Sequence, residues 1–166
     1  VLNNNSKLVS YSPIIFRGTE DEPILIKSSD MSGQGLVILN AREQSELNHV
    51  IFQNLSLVQE GDWQLTSSVT FYESPVLISN SRFITNQVAD DYLNIIRSEF
   101  MIDSSLFENS FADAVDIDFS SGKIINSSFL NVGTENNNGD GIDFSGSVVE
   151  LENIIIKKQE ADNEYR

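Results

Sequence analysis

The chain has 166 residues, which suits one domain, and a formal net charge of −15 from 25 acidic and 10 basic residues. That balance argues against a nucleic-acid partner, because binding to a phosphate backbone needs clustered lysine and arginine. The lack of cysteine excludes disulfides and thiolate metal sites, and the single histidine, His49, excludes zinc sites with two histidines. No apolar run approaches the roughly 18 residues of a membrane span, so no membrane insertion is expected.

The first 45 residues contain short apolar segments that predict β-strands. These segments are 13–16, 23–26 and 36–39, and each is bounded by glycine, proline, aspartate or serine. Segments this short, rich in β-branched residues, favour strands over helices. Their spacing is uneven, so residues 1–45 are predicted to form less regular N-terminal coils.

From residue 46 onward one phrase returns, in which an aliphatic residue stands five positions before a second large apolar residue. Its copies end at Phe52, Phe83, Phe107, Phe129 and Ile154, so the spacings are 31, 24, 22 and 25 residues. Repeats of this length predict stacked units, each too small to bury its own apolar face. The excess in the first spacing is expected to loop out around 59–63, where turn residues cluster.

A second apolar column with the same offsets, Phe71, Ile95, Ile117 and Ile142, supports this register. Three short strands per coil, stacked in parallel on their copies, would turn both columns inward. We therefore predict an all-β, single-domain parallel β-helix over residues 1–166, with about six to seven coils of roughly 22–31 residues. Residues 46–156 are the regular coils and 157–166 a polar tail or cap. Further β-helix coils or another chain are expected to stack on the ends.

The phrase Ile-x-Asn-Ser-x-Phe, followed within three residues by Asn86, Asn109 and Asn131, resembles the repeat of right-handed parallel β-helices. That fold is shared by the pectate-lyase-like superfamily and by bacterial secreted β-helix domains, to which segments 113–119 and 139–146 are similar. The resemblance implies a right-handed solenoid, an extracellular or cell-surface location and a polysaccharide partner. It specifies the architecture and carries no catalytic signature.

Strand alternation around the second column predicts an acidic outward face on the first strand of successive coils. Asp116, Asp118 and Asp143 share this face, with Asp118 and Asp143 one strand spacing apart, about 4.8 Å. Together with Asp140 in the preceding turn, these carboxylates fit a Ca²⁺ site. They also fit a solvated acidic surface, the more favoured interpretation, and a carboxylate pair for glycosidic hydrolysis, the least favoured one. Arg97 is expected to pair with Asp118 or, in an enzyme, to contact a uronate carboxylate.

Aromatic residues near this face are candidate carbohydrate contacts: Tyr72 and Tyr92 on the coils and Trp63 in the excursion. His49 matches Asn80 and is expected at a polar turn position.

Two functions stay open. The favoured one is a noncatalytic β-helix module of a secreted or cell-surface protein, a rigid scaffold that binds carbohydrate or Ca²⁺. The alternative is a polysaccharide-active lyase or glycoside hydrolase that uses Asp116, Asp118, Asp143 and Arg97. The first is favoured because no basic cluster accompanies the carboxylates.

Overall fold

The computed structural model describes residues 1–134 and 138–158. The chain winds into a right-handed parallel β-helix, so the predicted fold class is confirmed. Within the described ranges, three sheets of six strands each run along the helix, which makes about five turns. No helix in this part of the chain is long and apolar enough to cross a membrane.

Each level of the β-helix contains one strand from each sheet. Sheet A consists of β1 (Lys7–Ser10), β4 (Gly35–Leu39), β9 (Ser67–Tyr72), β12 (Asp91–Ile96), β15 (Asp113–Asp118) and β18 (Asp143–Ser145). Sheet B consists of β2 (Ile15–Arg17), β5 (Ser45–Asn48), β10 (Val76–Ser79), β13 (Glu99–Asp103), β16 (Ser121–Ile125) and β19 (Val148–Glu152). Sheet C consists of β3 (Ile24–Lys27), β6 (Val50–Ser56), β11 (Arg82–Gln87), β14 (Leu106–Glu108), β17 (Ser128–Leu130) and β20 (Ile155–Lys157).

The interior is filled by side chains that stack in register from level to level. Phe52, Phe83, Phe107 and Phe129 form one fully buried column in sheet C, as the repeat predicted. Successive ring centroids are 4.9, 4.5 and 5.0 Å apart, with interplanar angles of 18°, 6° and 7°. Stacked rings at this spacing combine apolar burial with aromatic attraction, so this column is a main source of stability.

The second predicted column is confirmed for three of its four members. Phe71, Ile95 and Ile117 pair in register in sheet A and are fully buried. The fourth assignment is wrong, because Phe144 and not Ile142 lies opposite Ile117.

In sheets B and C as well, the last level lies two residues away from the predicted register. Leu151 lies opposite Ile124 in sheet B, and Ile156 rather than Ile154 lies opposite Phe129 in sheet C. The spacing from Phe129 to its partner is therefore 27 residues and not 25. A displacement of two leaves the inward and outward alternation unchanged, so the hydrophobic pattern cannot detect it.

The six levels of strands make about five turns, slightly fewer than the predicted six to seven coils, and the first 34 residues supply one level, β1 to β3. The long interval before Phe83 holds no extra coil. It contains an antiparallel hairpin, β7 (Gln59–Glu60) and β8 (Trp63–Gln64), at the excursion predicted for 59–63. Of the predicted tail or cap at 157–166, Lys157 ends β20, and residues 159–166 lie outside the described residues.

Buried serine hydroxyls join the levels at the turns between sheets A and B. The backbone N–H of Ser74 donates to Ser98 Oγ at 2.8 Å, and that of Ser98 donates to Ser120 Oγ at 3.0 Å. The N–H of Ser120 donates in turn to Ser147 Oγ at 2.9 Å. These bonds satisfy backbone groups that the tight bends would leave unpaired. A second column at the turns between sheets B and C contains Ser81, Ser105 and Ser127.

Candidate functional site

The outward side of sheet A, called here the outer A face, carries most of the predicted site residues. One outward row contains, from the first level to the last, Val9, Val37, Thr70, Asn94, Asp116 and Asp143. The next row contains Leu39, Tyr72, Ile96, Asp118 and Ser145. The face therefore changes from apolar and aromatic at the first levels to acidic at the last ones.

The acidic pair on this face differs from the predicted one. Asp143 lies opposite Asp116, whereas Ser145 lies opposite Asp118, so the predicted stacking of Asp118 on Asp143 is wrong. The cause is the two-residue displacement of the last level. Asp143 is exposed and Asp116 is half-buried, which leaves one member of the new pair in a partly desolvated position.

Asp91 is a member of the acidic group that the sequence reasoning missed. It begins β12, is only 3% exposed and lies opposite Asp113 of β15. Asn94 bridges two carboxylates, since its Nδ2 donates to Asp91 Oδ2 at 3.4 Å and to Asp116 Oδ2 at 3.0 Å. Asp113 in turn accepts the backbone N–H of Asp140 at 2.7 Å. The sequence signal that could have identified Asp91 is its spacing of 22 residues from Asp113, which equals the step from Phe107 to Phe129.

Burial raises the pKa values of these carboxyls. Loss of contact with water raises the pKa of Asp91 to about 6, against a hydrogen bond from Thr66 that lowers it. Burial, followed by the charges of Asp91 and Asp118, raises the pKa of Asp116 to about 7. The pKa of Asp113 is also raised, again chiefly by burial. Near neutral pH the group therefore retains protons that reduce the repulsion between its members.

The Ca²⁺ site predicted at Asp116, Asp118, Asp143 and Asp140 stays a prediction. Within residues 1–134 and 138–158, no group of three or more His, Cys, Asp or Glu side chains is arranged to hold a metal ion. Asn94 Oδ1 is buried without a hydrogen-bond partner, which carries a desolvation cost. The raised pKa values of Asp91 and Asp116 and the Asn94 amide both reduce the repulsion within this group.

Arg97 binds the preceding level and not the acidic pair. Its guanidinium forms an ion pair with Glu73 at 3.6 Å and donates to Tyr72 Oη at 3.0 Å. The guanidinium carbon lies 6.0 Å from the centroid of the Tyr72 ring. The predicted side-chain partner, Asp118, instead accepts the backbone N–H of Arg97 through its carbonyl at 2.8 Å. Arg97 therefore orients the half-buried Tyr72.

Tyr92 cannot contact a ligand, so its assignment as a carbohydrate contact is wrong. The side chain is fully buried and lies edge-on to Phe83, with ring centroids 5.5 Å apart. Its hydroxyl donates to the carbonyl oxygen of Phe52 at 2.9 Å and lies 3.1 Å from that of Ile84. Burial raises the pKa of the Tyr92 hydroxyl well above its usual value, which keeps it a donor.

Trp63 lies on the β7–β8 hairpin, which stands over the first levels of the outer A face. Lys7 anchors this hairpin, because its Nζ donates to the Gln59 carbonyl at 2.8 Å and pairs with Glu60 at 2.9 Å. A cleft of about 420 Å³ separates the hairpin from the sheet. The Trp63 and Tyr11 side chains are 41% and 71% exposed at this cleft. Its lining is Lys7, Val9, Tyr11, Leu39, Glu60 and Trp63.

Tyr11 was not selected from the sequence as a candidate ligand contact, because it follows β1 outside any repeat that could place it.

A second groove, about 500 Å³, crosses the turns between sheets B and C and is lined by His49, Asn80, Arg82 and Glu20 among others. His49 and Asn80 both have positive φ, 51° and 49°, which confirms the predicted turn position. The lining of this groove includes no phenylalanine, tyrosine or tryptophan side chain, in contrast to the cleft beside Trp63.

The geometry of the chain itself shows its fold, a right-handed parallel β-helix. Comparisons with protein-family models, with curated proteins and with solved structures find no match for this chain.

Proposed function

We propose that this chain is a noncatalytic β-helix module that binds carbohydrate in the cleft between the β7–β8 hairpin and sheet A. The observation that carries the proposal is the pair of solvent-exposed rings, Trp63 and Tyr11, at one cleft of about 420 Å³. Sugar rings present apolar C–H faces that stack on aromatic side chains, and such stacking needs flat rings open to solvent. A mostly apolar concave surface with a few polar groups is the usual form of a binding site.

The polar groups of the cleft suit sugar hydroxyls. The Glu60 side chain is 72% exposed and can accept hydrogen bonds from hydroxyl groups, while its ion pair with Lys7 fixes its position. Lys7 is only 19% exposed and acts mainly as the anchor of the hairpin. The ligand therefore meets aromatic rings, an aliphatic floor at Val9 and Leu39, and one carboxylate.

The charge of the protein favours a neutral glycan over a polyuronate. A net charge of −15 and the acidic last levels of the outer A face repel a chain of uronate carboxylates. Two basic residues beside this face and the cleft, Lys7 and Arg97, are engaged with glutamates in the pairs Lys7–Glu60 and Arg97–Glu73. The resemblance to pectate-lyase-like proteins supports a polysaccharide partner and an extracellular or cell-surface location. The charge then narrows the partner to a neutral polysaccharide.

One observation favours a polysaccharide-active enzyme as the alternative. The pKa of Asp116 is raised to about 7, so this carboxyl can act as a general acid near neutral pH, with Asp143 opposite it. However, Asp116 lies three levels beyond Leu39, roughly 14 Å along the helix at ~4.8 Å per level. A substrate stacked in the aromatic cleft is thus remote from the acidic pair, which is why binding without catalysis is proposed.

Calorimetric titration with soluble neutral polysaccharides, such as xylan and galactan, and with polygalacturonate tests the proposal. We expect binding of a neutral glycan and a loss of at least tenfold in affinity in Trp63→Ala. Phe119→Ala, which removes an exposed ring at a turn outside the cleft, should leave the affinity unchanged. Binding that survives Trp63→Ala, or that appears only with polygalacturonate, would contradict the proposal. New reducing ends that disappear in Asp116→Asn would establish the enzyme instead.

A further inference from the structure

The last described level ends the buried columns with side chains that are half-exposed. Phe144, Leu151 and Ile156 continue the columns of the level below, yet they are 50%, 49% and 57% exposed. Among the described residues, β18, β19 and β20 pair with other strands on one side only. This end therefore combines apolar side chains with unpaired backbone N–H and C=O groups, the features that recruit another strand.

The first level presents a matching apolar end. A cavity of about 190 Å³ lies there, lined by residues that include Leu2, Leu8, Phe16 and Ile24. In the described part of the chain, β1, β2 and β3 also pair on one side only. The cavity can receive apolar side chains, and the strand edges can receive three further strands if the Leu2 N–H, which donates to the Lys27 carbonyl at 2.7 Å, is displaced.

The register of the columns aligns the two ends. Phe16 begins the sheet B column that ends at Leu151, and Ile26 begins the sheet C column that ends at Ile156. A second copy placed beyond the last level would thus set apolar residues on apolar residues in both sheets. Aligned side chains on neighbouring strands are the unit by which sheets are stabilised.

The strands of the two ends carry charges of opposite sign, although the turns of the first level add Glu20, Asp21, Glu22 and Asp30. The strands of the first level carry three basic residues and no acidic one, whereas those of the last level carry three acidic residues and one basic residue. Arg17, which pairs with Glu46 of its own chain at 2.6 Å, shares a column with Glu152, so the same alignment places both glutamates beside it. Lys27 and Lys157 also share a column, and their repulsion opposes the association. The basic residues are Lys7, Arg17 and Lys27, and the acidic ones are Asp143, Glu150 and Glu152.

We propose that the last level of one copy stacks on the first level of a second copy, so that the β-helix continues head to tail across the junction. The three sheets extend through the contact, with Leu151 facing the Phe16 column and Glu152 facing Arg17. The contact uses two different surfaces of the chain, which makes it heterologous. A heterologous contact without rotation does not close and grows into linear filaments. This surface is independent of the carbohydrate cleft.

Sedimentation velocity over a range of protein concentrations tests the association. We expect the mass to rise with concentration in steps of one chain, and the association to strengthen at high salt, because salt screens the repulsion between copies that each carry a net charge of −15. Leu151→Lys should give monomers, because it places a charge in the apolar junction. Val148→Lys is the matched control, since it adds the same charge to the same strand at an exposed outward position and should still associate.

A mixing experiment tests the polarity of the contact. Leu8→Lys, at the first level, should also be monomeric, but a mixture with Leu151→Lys should form two-chain particles and nothing larger. Each variant retains one functional end, so one junction forms. Self-association of Leu8→Lys alone would show a tail-to-tail contact and overturn the proposal. A wild-type protein that stays monomeric at all concentrations would also overturn it, with another segment or another protein covering the ends.

Circular dichroism of each variant verifies that the β-helix is intact. If either lysine variant loses the β spectrum, Glu152→Arg and Arg17→Glu test the same ends at polar positions. Each single charge reversal should weaken association, and the double reversal should restore it. Failure of the double variant to recover would contradict the proposed register.

Discussion

Asp91→Asn should stabilise the protein above pH 6, because it removes a carboxylate that the fold holds at an energetic cost. The side chain is 3% exposed, and burial raises its pKa from 3.8 to about 6. A difference of ~2 between the folded and unfolded pKa corresponds to about 3 kcal/mol. Asparagine has nearly the same shape, and its Oδ1 can accept the hydrogen bond that Asn94 Nδ2 now donates at 3.4 Å. The substitution thus removes the charge and keeps the contact.

The expected pH dependence follows from the direction of the shift. The folded pKa lies above the unfolded one, so the folded state keeps its proton at pH values where the unfolded state has lost it. Between about pH 4 and pH 6, the free energy of unfolding of the wild type therefore falls as the pH rises. Asp116, whose pKa is raised to about 7, extends the decline to about pH 7. Below pH 4 both states are protonated, and neither group distinguishes them.

Urea unfolding of wild type and Asp91→Asn at pH 4, 6 and 8 measures the effect. We expect nearly equal stability at pH 4 and a gain of about 3 kcal/mol for the variant at pH 8. Asp21→Asn, in the exposed turn at 19–22, is the matched control and should change stability by less than about 0.5 kcal/mol. A variant that is less stable than wild type at pH 8 would refute the reasoning. If that loss appeared only with Ca²⁺ present and vanished with chelator, a cation would be the missing partner of Asp91.

Two further substitutions test the interior and the turns. Phe107→Ala should reduce the free energy of unfolding by about 3–5 kcal/mol, because it opens a cavity between two stacked rings, whereas Phe119→Ala at an exposed turn should have little effect in the same urea assay. Ser98→Ala should cost about 1–3 kcal/mol, since it leaves the buried N–H of Ser74 without an acceptor. Ser121→Ala, at an exposed strand position, is its control, and equal losses in both serine variants would show that the turn column is not stabilising.

The buried columns were predictable because each coil must place an apolar residue at the same points of its circuit. The spacings of 24 and 22 residues at Phe83, Phe107 and Phe129 recur in the serine column at Ser74, Ser98 and Ser120. Both columns are buried, so substitution by a residue of another kind is costly at every level. The serines follow the same rule as the phenylalanines, although an interpretation based on hydrophobicity alone overlooks them.

The last level was misplaced because its register depends on the length of a loop, which leaves no periodic signal. A step of 27 residues and a step of 25 both keep Phe144 and Ile142 on the inward side of sheet A, and both residues are apolar. Only the pairing of backbone groups across the sheets distinguishes the two. This error changed the predicted site, because Asp143 lies beside Asp116 and not beside Asp118 as predicted.

The candidate binding cleft of this β-helix arises where the repeat is interrupted. Within regular coils, each outward residue has an equivalent above and below it at about 4.8 Å, so the groove at the turns between sheets B and C is lined by equivalent residues of successive levels. The cleft beside Trp63 exists because a hairpin was inserted between β6 and β9, and Lys7 holds that hairpin against the first level. The sequence identified the insertion from its excess length but not Tyr11 on the opposite wall, since the wall is formed by tertiary contact. For this fold, irregularities in spacing therefore locate the candidate binding surface, whereas the regular repeat locates the core.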